Sequence, residues 1–226
     1  MAFVRFLSGI GELFALNAQT LASGLLMTLK LTVYSLILAF FIGIIFGMMS
    51  VSKNKILLGI SKVYVYIIRG IPMLVLAFFI YFGIGALVKG GFPKMTAAVI
   101  TLTLNASAYM SEIVRGGIQA INRGQFEASR SLGLSYAKTM RLIVIPQAVR
   151  VCTPSLINQL IITLKDTTIL STIGIAELVQ TGKIIIAANM RSTEMWLIIA
   201  IMYFIPITIL SLISERLEKK LRKGQK

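Results

Sequence analysis

The 226-residue chain has no histidine, one cysteine, one tryptophan and only eight acidic residues against 23 Lys and Arg. Without histidine it lacks the usual general base near neutral pH and the commonest transition-metal ligand. The lone Cys152 excludes an internal disulfide and any multi-cysteine metal site. There is no G-x-x-x-x-G-K-[S/T] run: Gly182-Lys183 is followed by Ile184, and Glu177 stands where the first glycine belongs. The chain is therefore not expected to hydrolyse ATP by a P-loop of its own, to bind a metal or cofactor, or to act as an enzyme.

What it has in excess is apolar. It is 57% hydrophobic and 14% charged, with a mean hydropathy of +0.86, where an ordinary soluble domain is ~25% charged. The apolar residues gather in runs near the ~20 needed to cross a bilayer core. A soluble all-α domain would need polar faces at a 3.6-residue period, which most of these runs lack. The expected fold is all-α, a polytopic membrane protein of about five spans. They are drawn at Leu25–Val51, Ile71–Val88, Thr96–Val114, Ala148–Leu164 (continuing, interrupted, towards Gly182) and Met195–Ile213. The opening stretch, where Arg5 precedes short apolar pieces broken by Gly9, Glu12, Asn17 and Gln19, is not expected to be a secretory signal.

Cation placement orients this scheme. Lys53, Lys55, Lys62 and Arg69 fall in the first loop; Arg115, Arg123, Arg130, Lys138, Arg141 and Arg150 in the third; Arg216, Lys219, Lys220, Arg222, Lys223 and Lys226 in the tail. The opposite side has only Arg5, Lys89, Lys94, Lys183 and Arg191. The positive-inside rule puts the N-terminus outside, and the tail and third loop in the cytoplasm. The net charge of +15 then reflects basic loops beside lipid headgroups, not a nucleic-acid partner.

The third loop, residues 121–147, reads like soluble protein. Glu127 suits the positive end of a short helix running to Leu132. Gly133 can end it in a conformation other residues avoid. Ser135 can cap a second helix, Tyr136–Val144, which Pro146 interrupts. Leu132, Leu134 and Tyr136 would be poorly hidden in solvent. Such a helix either inserts into a groove on another protein or folds back on its own spans, and the residues alone leave both open.

The order Glu127-Ala128-Ser129, three residues, Gly133, nine residues, Ile143-Val144-Ile145-Pro146 resembles the E-A-A, G, I-x-L-P loop of ABC-importer permease subunits. Ser129 and Ile145 depart from it mildly. "RGIPML" (69–74), "SAYMSEIVRGGI" (107–118) and "LKDTTILSTIG" (164–174) resemble, in order, three motifs of the polar amino-acid branch, so that the likeness covers roughly residues 20 to 215. Leu76 stands where that branch often has Gln. The resemblance implies a single permease domain over 1–226 with a type I importer fold, in a bacterial inner membrane. It implies a coupling helix, carried by Glu127, Ala128, Ser129, Gly133 and Leu134, docked on an ATP-binding subunit. Two such subunits would hold the ATP and Mg, beside a second permease subunit and an extracytoplasmic binding protein.

Polar residues inside spans are costly and are functional candidates by default. Thr101, Asn105, Tyr109 and Glu112 share a helical face, and so do Ser155, Gln159, Thr163 and Asp166. Asn105, Tyr109, Gln159, Thr163 and Asp166 are the candidate substrate path, with Asp166 accepting an ammonium and Asn105 and Tyr109 donating to a carboxylate. A helix broken around Lys165–Thr168 would add free backbone groups. Arg69, Pro72, Glu112, Arg115 and Lys165 are candidates for structure or gating. Two rivals predict different behaviour: a gradient-driven carrier or channel would work without ATP, and a scaffold would tolerate loss of the polar faces.

Overall fold

The computed structural model describes residues 2–223, with the side chains of residues 2–5, 7 and 221–223 left outside the description. Arg5, Arg222, Lys223 and Lys226 of the charge argument therefore fall outside the described side chains. Every regular element among the described residues is helical. They are α1 (Ala2–Ser50), α2 (Lys55–Gly70), α3 (Met73–Leu87), α4 (Lys94–Gln119), α5 (Arg123–Ser131), α6 (Tyr136–Thr139), α7 (Ile145–Asp166), α8 (Leu178–Asn189) and α9 (Ser192–Lys223). A π-helical turn, Met140–Val144, joins α6 to α7, and a 3₁₀ helix, Thr167–Ile173, comes after α7.

Four helical stretches are long and apolar enough to cross a membrane, or five if α2 and α3 count as one broken span. α1 begins well before the expected Leu25, and its 49 residues extend about 73 Å at 1.5 Å per residue. The polar residues at its start do not break it: Asn17 Nδ2 donates to the Leu13 carbonyl one turn back at 2.9 Å. Residues 55–70, expected as loop, form α2. Their apolar positions recur at a helical period, with Lys55, Lys62 and Arg69 between them, so no window is uniformly apolar. Asn54 caps α2, its side chain accepting from Ile56 N at 2.8 Å and Leu57 N at 3.4 Å. α2 and α3 meet at 99°. Ile71 is extended (φ −102°, ψ 127°), as the residue before Pro72 is driven to be.

Two compact units divide the chain. One comprises Met1–Ser35, Met73–Leu102 and Ile161–Leu210, with a core of Leu21, Leu178, Met195 and Ile198 and a second cluster of Leu31, Ala77, Leu102, Leu170 and Ile173. The other comprises Leu36–Pro72, Thr103–Leu160 and Ser211–Lys226, centred on Ala39, Ala106 and Met110. In this second unit Gly43 and Gly47 let α1 and α4 approach closely. A Cβ built on either would sit 2.6 Å from the Cβ of Met110 or Val114, the small-residue packing common between membrane helices.

Candidate functional site

In the second unit α2 lies against α1 and α4 through polar contacts. The Ser61 hydroxyl donates to the Phe46 carbonyl at 2.7 Å, and the Tyr64 hydroxyl hydrogen-bonds Ser107 Oγ at 2.6 Å while its ring stacks on Phe46. This brings the last turn of α2 over the C-terminal half of α4. There Arg115 grips both oxygens of Glu112, Nε to Oε1 at 2.9 Å and Nη2 to Oε2 at 2.7 Å, and donates to Gln119 Oε1. Arg69 comes to 3.5 Å of Glu112 Oε2 and sets its guanidinium over the Tyr109 ring at 4.8 Å, a cation–π arrangement. These groups line a groove of about 1200 Å³ together with Ser61, Lys62 and Tyr66. Two guanidiniums against one carboxylate leave the cluster with an excess positive charge.

The candidate path residues divide between the units. Asn105, Tyr109 and Gln159 belong to the second; Thr163 and Asp166 belong to the first. Asn105, Gln159 and Thr163 are buried, Asp166 is half-buried, and Tyr109 and Lys165 are exposed. Ser155 and Asn158 are both exposed, so only part of the α7 face is covered within the chain. The backbone changes from α to 3₁₀ between Asp166 and Thr167, and the helical stretch runs on to Ile173 and ends at Gly174 in the left-handed region (φ +77°). The expected break around Lys165–Thr168 is therefore a change of helix type and not an interruption.

Sequence reasoning missed Glu177. It is fully buried and caps α8, accepting from Val179 N at 3.0 Å and Gln180 N at 2.7 Å, while the Tyr203 hydroxyl donates to Oε2 at 3.0 Å. Thr28 of α1 takes the next amide, Leu178 N, at 3.2 Å. Helix N-terminal donors have no partner within the helix, so a carboxylate placed there is satisfied even in an apolar interior. The signal was present: an acidic residue opens an apolar run, with Gln180 three residues on.

The third loop is built differently from expectation at two points. α5 starts at Arg123, capped by Asn122 on Gly124 N at 2.8 Å, so Glu127 sits mid-helix and no acidic residue occupies the first turn. Pro146 does not interrupt the helix around it. The π turn at Met140–Val144, in which Ile145 N bonds the Met140 carbonyl, shifts the ladder by one residue ahead of it, and α6 runs on into α7. Such turns relieve the lost donor and ring clash of an interior proline. Gly133 ends α5 with φ +80° and Ser135 caps α6, as expected. Glu127, Ala128 and Gly133 are not buried, Leu134 is half-buried and Ser129 is buried. Leu132 is 83% exposed at the end of α5.

Comparison with known proteins gives a consistent pattern. A family model described as "binding-protein-dependent transport system inner membrane component" matches residues 39–223. The chain is 38% identical over 203 residues to the glutamine transport system permease protein GlnP of Escherichia coli K12, covering 89% of this chain and 93% of that one. It is 33% identical over 201 residues to the arginine transport system permease protein ArtQ of Bacillus subtilis, with 89% and 92% covered. The crystal structure of an amino acid ABC transporter with histidines superposes with a TM-score of 0.87 at 37% identity, covering 95% of this chain and 98% of that one.

Proposed function

Because the chain belongs to the family of binding-protein-dependent transport system inner membrane components, we propose that it is the membrane-spanning subunit of an ATP-driven importer for polar amino acids in a bacterial inner membrane. Two ATP-binding subunits hold ATP and Mg and perform the hydrolysis, an extracytoplasmic binding protein delivers the substrate, and a second permease subunit, identical or paralogous, completes the path. The names of the relatives, which carry glutamine, arginine and amino-acid systems, support this substrate class.

The observation that carries the reading is α5. It stands on a left-handed glycine turn and presents Glu127, Ala128 and an 83% exposed Leu132 to whatever lies beyond it. An exposed leucine at the end of a short rigid helix fits a groove on another protein, and no part of the described chain covers it. Docked on the ATP-binding subunit, Glu127–Ser135 takes up the movement that nucleotide binding and hydrolysis produce there, and the helices open alternately to the two sides.

Within the second unit Asn105, Tyr109 and Gln159 supply polar surface for the substrate path, and within the first unit Thr163 and Asp166 do. Asp166 offers a carboxylate to an ammonium; Asn105 and Tyr109 offer donors to a carboxylate. Within the second unit the Arg69–Glu112–Arg115 cluster, with Pro72 at the end of α2, serves structure or gating. Within the first unit Lys165, beside the change of helix type after Asp166, is a further candidate for that role. The chain makes and breaks no covalent bond.

The test is purification with native partners, then uptake of radiolabelled glutamine and arginine into proteoliposomes, with and without internal ATP. ATP-dependent uptake is expected for the wild type. Gly133→Val, which forces a β-branched side chain into φ +80° at a cost of ~1–2 kcal/mol, is expected to lose the ATPase partner and uptake together. Uptake that proceeds without ATP, in wild type and variant alike, would establish a gradient-driven carrier instead.

A further inference from the structure

We infer that Ser129 and Thr139 form the joint through which α5 moves the rest of the second unit, with Tyr136 as a lateral brace; the inference rests on α5 being the docking element. A helix that receives motion from a partner transmits it only if it is fixed to the next helix of the chain. The connection here is short, and its one pivot is the Gly133 turn, where a Cβ would meet nothing within 4 Å. Space around the pivot leaves side chains on either side of it to set the angle.

Three contacts do so. The Ser129 hydroxyl donates its one proton between two acceptors, the Phe126 carbonyl at 2.8 Å and Thr139 Oγ1 at 3.2 Å, and the second contact bridges α5 and α6 across ten residues of chain. Both hydroxyls are withdrawn from solvent, Ser129 being 5% and Thr139 0% exposed. In that setting the hydrogen bond is stronger than in water and costly to leave unmade. Beside it the Phe126 and Tyr136 rings meet edge to face at 5.6 Å, and Lys53, from the turn between α1 and α2, sits over the Tyr136 ring at 5.1 Å. The turn itself is closed by Leu134 N on the Ser129 carbonyl at 3.2 Å. Ser129 thus contributes its side chain to one clamp and its carbonyl to another.

Ser129 is also where this chain departs from the E-A-A pattern it resembles. An alanine there has no hydroxyl to offer Thr139. The departure and its buried partner together make a bond peculiar to chains that carry both residues, and it lies on the line from the docking helix to α7. Ser129 and Thr139 are positioning residues: they touch no substrate and set the angle of α5.

The experiment measures ATP hydrolysed per substrate imported, using the complete importer with its binding protein in proteoliposomes. Ser129→Ala and Thr139→Val are each expected to raise that ratio by roughly three- to tenfold, the scale of losing one buried hydrogen bond. With Thr139→Val, which lies outside the docking helix, the ATPase still co-purifies in wild-type proportion. The double variant should be no worse than the poorer single one, because both remove the same bond. Thr139→Ser, which keeps the hydroxyl, should restore the wild-type ratio. An unchanged ratio in both single variants overturns the inference, as does loss of the assembled complex in both, which would make the pair a folding contact only. If the wild type itself shows no ATP-dependent import, the docking reading fails together with the joint. If the wild type imports and the variants keep its ratio, the joint alone fails.

Discussion

At the scale of single residues, Glu112 holds the groove together because it is the acidic residue among three facing cations, Lys62, Arg69 and Arg115. Arg115 takes both of its oxygens in a bidentate grip, the stronger geometry for such pairs; Arg69 is held more loosely, by charge and by the Tyr109 ring. Glu112→Gln therefore releases two guanidiniums at once, whereas Arg69→Gln releases one contact and leaves the Arg115 pair intact. The expected result is a larger drop in thermal midpoint in detergent for Glu112→Gln than for Arg69→Gln. For these partly exposed pairs the scale is about 1 kcal/mol. Equal midpoints for the two variants would mean that Arg115 holds the site without its carboxylate. A carboxylate three residues before an arginine on one helix was legible in the sequence. Arg69 was legible too, as an alternative partner for the same carboxylate; that both arginines hold Glu112 at once was not, because it depends on how α2 crosses α4.

At the scale of elements, proline and glycine acted by their local chemistry, and tertiary context decided how far. Pro72 sets a bend where its neighbour must extend, and Gly133 sets a left-handed turn; both arise from two or three residues. Pro146 obeys the same rule and yet the helix continues, since one π turn upstream absorbs the mismatch and the span beyond it gains from continuity. α8 depends on a distant partner in a similar way. Its N-terminal amides are satisfied by Glu177, which is in turn fixed by Tyr203 of α9. Glu177→Ala strips a cap and leaves the phenol without its acceptor, and should lower stability by about 1–3 kcal/mol. Tyr203→Phe, which leaves the cap in place, should lower it less. Detergent-phase denaturation monitored by tryptophan fluorescence, with Trp196 as the native probe, reads both, and equal losses would count against capping as the main contribution.

At the scale of the whole molecule, the cation distribution assigns sides of the membrane. With Cys152 buried, single cysteines introduced at exposed turns can be labelled against a low background. Gly90→Cys, between α3 and α4, is expected to react with a membrane-impermeant maleimide in intact cells. Ser131→Cys, on α5, should react only after the cytoplasmic side is opened. The reverse pattern would invert the topology and place α5 where no ATP-binding subunit could reach it.

The sequence by itself determined the class of protein, the run of spans, the glycine turn after α5 and the family. Each of these is written in local composition or in the order of short motifs, and none requires knowing what packs on what. Only the tertiary structure decided that residues 55–70 are a helix, that α1 begins at Ala2, that Glu177 is a buried cap and that Ser129 meets Thr139. Residues 55–70 are held as a helix by the Asn54 cap and by Ser61 and Tyr64 bonding to α1 and α4, and a buried carboxylate or hydroxyl is tolerated when donors or acceptors from other elements surround it. Those partners are distant in sequence, and the fold alone brings them within hydrogen-bonding range.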